Sequence, residues 1–118
     1  MAGTIVVTDS VSWLPAGWVY DSVLEDAATQ VAPHGADLAD RLRSATTSSS
    51  VAYLDIRPWA DADVAAFADA VQDGLDRVVH RGRAAFADPG FFDGYVAKVA
   101  QLASMLRDEV ARRRAARP

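Results

Sequence analysis

Two rows of apolar residues in the second half of the chain constrain the fold most. Val64, Phe67, Val71, Leu75 and Val78 recur every three or four residues, as do Phe92, Tyr95, Val99, Leu102, Leu106 and Val110. That spacing matches the turn of an α-helix and places each row on one face. A face of this kind must be buried. The connection between the rows is short, so an antiparallel helix hairpin with a shared core is the expected geometry. Asp61 is expected to cap the first helix, with Asp63 in its first turn. Arg77, His80 and Arg81 crowd its far end, where positive charge complements the helix dipole. Gly82 is expected as a left-handed cap, and Asp88–Pro89 as the start of the second helix.

The first half reads differently. Thr4–Thr8 (TIVVT) is short, β-branched and apolar, and reads as a strand. Asp9–Gly17 has the composition of a loop. Trp18–Tyr20 leads into a helix capped by Asp21, with Val23, Leu24, Ala27, Ala28 and Val31 at helical spacing. Pro33–His34–Gly35 ends that helix. A second short helix follows with Leu38, Leu42 and Ala45 on one face. Thr46–Ser50 is a hydroxyl-rich link, and Val51–Ile56 reads as a second strand. A helix between two strands permits a parallel pair through a right-handed crossover. Two strands alone make a weak sheet. Helices must cover it, or Val11–Tyr20 must add a third strand, or a second chain must pair with an edge. The expected fold is α+β and helix-rich. The two long C-terminal helices pack on a minor two- or three-stranded sheet and two short helices. Residues 1–118 form one domain, with the basic end from Ala111 fraying.

A chain of 118 residues can bury roughly two-thirds of the surface its unfolded form exposes, so no staple is required. There are no cysteines, which excludes a disulfide framework, a thiolate metal site and a cysteine nucleophile. No apolar run is long enough to span a bilayer, and MAGTIVVTDS lacks the basic region of a secretory signal. A cytoplasmic protein is the expectation. The abundance of Ala, Asp and Arg beside the single Lys98 suggests a GC-rich bacterial source.

Charge is uneven. All 16 acidic residues lie between Asp9 and Glu109, while Arg112, Arg113, Arg114 and Arg117 close the chain. Setting those four aside leaves 8 basic against 16 acidic residues, a net charge of −8. Such a body repels nucleic acid and anionic lipid and attracts basic partners. The Pro33–Gly35 break between two helices resembles a helix-turn-helix, but the second helix carries Asp37 and Asp40 beside Arg41 and Arg43. That is a poor match to a phosphate backbone.

Four groups of residues are candidates for function. Trp13, Trp18 and Trp59 fall in or beside loops, where an indole can anchor an interface or plug the core. Ser12–Pro15 (SWLP) is the segment expected to be an exposed apolar patch. Asp69, Asp73 and Asp76 share one helix face. A single face gives parallel side chains, so they suit a basic protein better than a metal ion. Local pairs Asp73–Arg77, Asp76–His80 and Asp108–Arg112 are expected to neutralise part of the charge. Asp9, Asp55 and Arg57 stand at strand ends, where α/β sheets often bind ligands. An Asp55–Arg57 salt bridge with Trp59 stacked nearby is the plainer account. His34 and His80 lack the setting of a metalloprotease helix or a serine triad. Gly74 is expected where helices approach closely, and Gly94 where aromatic rings need room.

No catalytic residue, metal site or cofactor is indicated. The expected function is a small acidic, non-enzymatic protein-binding module, such as an immunity protein, an antitoxin or another inhibitor of a basic partner. Trp13, Trp18, Trp59, Asp69, Asp73 and Asp76 form its contact surface. The alternative is a small enzyme or ligand-binding domain with a pocket at Asp9, Asp55 and Arg57. A homodimer joined through the hairpin or a sheet edge is a third reading.

Overall fold

The two apolar rows do face one another. A computed structural model describes residues 2–48 and 52–116. Ser49, Ser50 and Val51, assigned above to the link and second strand, and Arg117 of the basic end lie outside the described residues. Helix α3 spans Asp61–Arg81 and α4 spans Phe92–Ala115. Asp61, opening α3, lies 3.1 Å from Arg113 near the end of α4. At the opposite end Leu75 and Val78 border the same cleft as Tyr95 and Val99. The hairpin is therefore antiparallel. Val64, Phe67, Val71 and Leu75 are buried against Tyr95, Val99, Leu102 and Leu106, with Val78 and Val110 partly buried at the margins.

The N-terminal half supplies strands β1 (Thr4–Val6), β2 (Ser12–Trp13) and β3 (Tyr53–Asp55), and helices α1 (Gly17–Val31) and α2 (Ala36–Ser44). The sheet order is β2-β1-β3. The outer pair is antiparallel to the centre on one side, with Ile5 opposite Trp13, and parallel on the other, with Ile5 opposite Leu54. Those three side chains line one buried face, while Ser12 and Tyr53 point to solvent. This alternation is the signature of a sheet covered on one side. The third strand comes from the segment read as loop. Helix α1 packs against both α2 and α3, and its Val23, Leu24, Ala27, Ala28 and Val31 are buried.

Several local expectations are corrected. Helix α1 starts at Gly17, so Asp21 lies within it rather than capping it. The Asp21 carboxylate instead accepts hydrogen bonds from the Thr47 amide at 2.7 Å and from the Thr47 hydroxyl. Ala60 precedes α3 and no side chain caps the helix, and the Asp61 carboxylate pairs with Arg113. Asp88 caps a single 3-10 turn, Pro89–Phe91, by accepting from the Gly90 amide at 2.9 Å, and α4 follows it. Gly82 has the expected positive φ of 75°, but its ψ of −172° is extended rather than left-handed helical. Gly74 behaves as expected: a Cβ there would collide with the Asp26 carboxylate of α1. Gly94 does not, since nothing lies within 4 Å of the place its Cβ would take.

The expected local ion pairs give way to other partners, one of them distant in sequence. Arg77 reaches across to Asp26 with two hydrogen bonds of 3.1 and 3.0 Å, Asp76 accepts from Gln72, and Arg112 binds Glu109. Among the described residues no helix is long and apolar enough to cross a membrane.

Candidate functional site

The three tryptophans separate into two kinds. Trp13 is completely buried because the pleat of β2 turns it inward between outward-facing Ser12 and Leu14. Its indole N–H donates to the Lys98 carbonyl at 2.9 Å, tying the sheet to α4. Trp59 is also buried, with its ring 5.7 Å from Phe67 and the Arg41 guanidinium 4.9 Å above it. Both are therefore removed from the expected contact surface. The Ser12–Pro15 patch shrinks to Leu14, since Trp13 and Pro15 are inside. Trp18 alone is open, at 49% exposure.

Trp18 belongs to a cluster that extends well beyond it. It stands in the first turn of α1 and stacks on Tyr95 of α4 at 5.6 Å, with the planes 21° apart. Phe91, from the turn before α4, meets it edge-on at 5.7 Å. Tyr95 also receives Phe86 edge-on at 5.3 Å, and Phe86 meets Phe92 at 5.6 Å. Five rings from three separate segments thus join at the connection end of the hairpin. Offset and edge-on contacts of this kind are favourable beyond the area they bury. The Tyr95 hydroxyl shares a 3.0 Å hydrogen bond with Ser22, and burial raises its pKa above the ordinary tyrosine value. The deep rings are therefore held in place, while Phe91, at 56% exposure, and Trp18 present faces to solvent. The sequence signal was available in part: Phe86, Phe91 and Phe92 crowd around Pro89–Gly90, but α1's contribution is purely tertiary.

Asp69, Asp73 and Asp76 are all exposed on the outer face of α3. No contact joins them to Trp18. Asp76 lies closest to the aromatic end, since it sits in the last turns of α3, from which the chain runs on to Phe86.

Asp9, Asp55 and Arg57 do converge. Arg57 donates to Asp55 through Nε and one terminal nitrogen at 2.9 and 2.8 Å, and to Asp9 through the other at 2.9 Å. The Arg57 hydrogen bond holds the Asp55 carboxyl below the ordinary aspartate range. Both edges of the guanidinium fork are thereby occupied from within the chain. The adjoining depression, bordered by Ser10, Arg57 and Arg112, is wide and shallow.

A second polar centre joins Glu109 to the first residues of the basic end, where α4 runs on to Ala115. Glu109 is buried, at 3% exposure, between Arg112 at 2.6 Å and Arg113 at 2.8 Å. The Arg112 hydrogen bond, joined by that of Arg113, lowers its pKa from the usual glutamate range. Arg113 also donates to the carbonyls of Trp59 at 2.6 Å and of Ile56 and Arg57 at 3.2 Å. It is thus a clamp between α4 and the loop that leads from β3 into α3. Nearby, Asp63 accepts from Arg41 at 2.9 Å and from His34 at 3.1 Å, with Arg41 the main cause of its lowered pKa.

The chain matches no protein-family model, no curated protein and no solved structure.

Proposed function

We propose that this chain is a non-enzymatic protein-binding module that captures a basic partner, in the manner of an immunity protein, antitoxin or other stoichiometric inhibitor. The observation that carries this reading is the exposed pair Trp18 and Phe91, which meet edge-on, with Trp18 stacked on the buried Tyr95. Rigid, half-exposed aromatic rings lose little entropy on binding and dominate many interfaces. The acidic excess of the body, with Asp73 and Asp76 on open helix surface, attracts a basic protein and raises its rate of encounter. Trp18 and Phe91 anchor the complex, and the aspartates steer it. Trp13 and Trp59 take no part in contact.

The alternative of a small-molecule or catalytic site at Asp9, Asp55 and Arg57 draws less support. Those groups satisfy one another, and the surface above them is shallow.

The test is comparative capture from extract of the producing cells. Wild type, Trp18→Ala/Phe91→Ala and Asp73→Asn/Asp76→Asn are immobilised side by side and the retained proteins identified. The expected result is a basic protein held in equimolar amount by the wild type. The ring variant should weaken that capture at least about 30-fold, the range of a true anchor. The aspartate variant should slow association and reduce its salt dependence. Retention that is indifferent to both variants contradicts the reading.

A further inference from the structure

We propose that two copies of this chain associate through the outer groove of the α3–α4 hairpin, as a twofold four-helix arrangement. The groove lies at the end of the hairpin away from Trp18 and Phe91, so this inference does not depend on the aromatic site. Its floor is apolar and low, formed by Ala65, Ala68, Ala103 and Val110. Residues of this size let a facing helix come close.

The charges along the groove identify the occupant. Asp69 stands on the α3 wall, and Arg107 and Arg114 stand on the α4 wall. Elsewhere in the molecule most arginines are spent on carboxylates, as Arg57, Arg77 and Arg113 are, with Arg81 an exception among the described residues. Here they are not. Among the described residues the side chains of Asp69 and Arg114 take no hydrogen bond or ion pair. Arg107 has one long contact, 3.5 Å to the Gln72 amide oxygen. The groove therefore carries one sign of charge on each helix, with both left open. A basic partner would be repelled by one wall and an acidic partner by the other. A surface with the same split is its complement, and the chain itself has that surface.

The hairpin geometry gives the pairing. Because α3 and α4 are antiparallel and Asp61 meets Arg113, the helix rise puts Asp69 and Arg107 at similar height along the hairpin, with Arg114 about two turns further toward the start of α3. A twofold axis running along the groove lays α3 of one copy over α4 of the other at equal height. Each Asp69 then meets Arg107 of the second copy, twice over, as an isologous contact requires. A twofold axis across the groove would instead lay α3 on α3 and set like charges together, which is unfavourable.

Sedimentation velocity on the full chain, from about 5 to 500 μM in low salt, tests this in the micromolar range expected of a modest interface. The wild type should pass from monomer to dimer across that range. Asp69→Arg alone, and Arg107→Asp alone, should each weaken self-association at least tenfold. An equimolar mixture of those two variants should recover a heterodimer, since every cross-pair is again of opposite sign. All these positions are on the surface, and circular dichroism with urea midpoints verifies that each variant folds. A wild type that stays monomeric throughout overturns the proposal. So does self-association that the charge variants leave intact, or a mixture that fails to pair.

Discussion

The two ends of the helix hairpin solve the same packing problem with opposite chemistry. Where α4 ends, Glu109, Arg112 and Arg113 close over the loop after β3 with charge-assisted hydrogen bonds, and Glu109 and the Arg113 side chain are hardly exposed. Where α4 begins, the closure is aromatic: Phe86, Phe92 and Tyr95 pack together and leave Trp18 and Phe91 half open. Polar groups can seal an end only when all are satisfied, because an unpaired buried charge is costly. Stacked rings have no such requirement and can remain partly wet. The sealed end thus serves stability, and the aromatic end keeps two rings accessible to solvent.

The largest effects should come from opening the sealed interior. Arg113→Ala strips one partner from Glu109 and three carbonyls of their donor, and should cost about 3 kcal/mol or more of unfolding free energy by urea denaturation. Trp13→Ala should cost about 3–5 kcal/mol, since a buried ring is lost and the Lys98 carbonyl loses its indole donor. By contrast, Trp18→Ala should change stability by only about 1 kcal/mol or less while weakening partner capture. A stability loss at Trp18 equal to that at Trp13 would erase the distinction between the ends.

Acid should act chiefly through the ion-paired carboxylates. The folded pKa values of Glu109, Asp63 and Asp55 are all lowered, by Arg112, Arg41 and Arg57 respectively. A depressed carboxyl stabilises the fold above its unfolded pKa, and that contribution is lost as pH falls through the folded value. The urea midpoint of the wild type should therefore drop below about pH 4, and Glu109→Gln should flatten that drop. Identical acid profiles would remove Glu109 from the account. At high pH Tyr20 acts in the other direction. Burial, with the nearby Asp21 charge, pushes its pKa up to about 12, and its hydroxyl donates to the Ala45 carbonyl at 2.7 Å. The stability it brings is complete below its unfolded pKa and is lost as pH rises toward 12. Tyr20→Phe should cost about 1–2 kcal/mol at neutral pH and lessen the alkaline decline.

The smallest effects concern the two helix glycines and should differ in sign. Gly94→Ala enters open space and should stabilise by up to about 1 kcal/mol. Gly74→Ala pushes on the Asp26 carboxylate held by Arg77 and should destabilise. Thermal unfolding of the pair separates the cases.

These contrasts also show what was legible in the chain. Val64–Val78 and Phe92–Val110 declared the hairpin because helical periodicity is local and each row must be buried. Thr4–Val6 was legible for its β-branched run. The third strand was legible only as one alternative within Val11–Tyr20, since the two residues Ser12–Trp13 form a strand only by pairing with β1. Asp21 and Asp61 have the composition of caps, yet distant Thr47 and Arg113 claim their carboxylates. Arg113 resembled any basic helix end, and nothing nearby in sequence announces the carbonyls of Ile56, Arg57 and Trp59 that it serves. Indole exposure was equally hidden: Trp13, Trp18 and Trp59 all sit beside loops, and only tertiary packing separates them. The Asp55–Arg57 salt bridge was readable from the strand end, but Asp9's share in it was not, and Trp59, expected beside the pair, packs on Phe67 under Arg41 instead.

The difference between the ends is tested most directly by hydrogen exchange at the three indole N–H groups of the wild-type protein, followed by two-dimensional NMR with Trp18→Phe for assignment. The Trp13 proton, buried and bonded to the Lys98 carbonyl, should exchange slowest of the three. The Trp18 proton should exchange fastest. Rapid exchange at Trp13, or protection at Trp18 equal to it in a monomer, would contradict the assignment of one sealed and one open end.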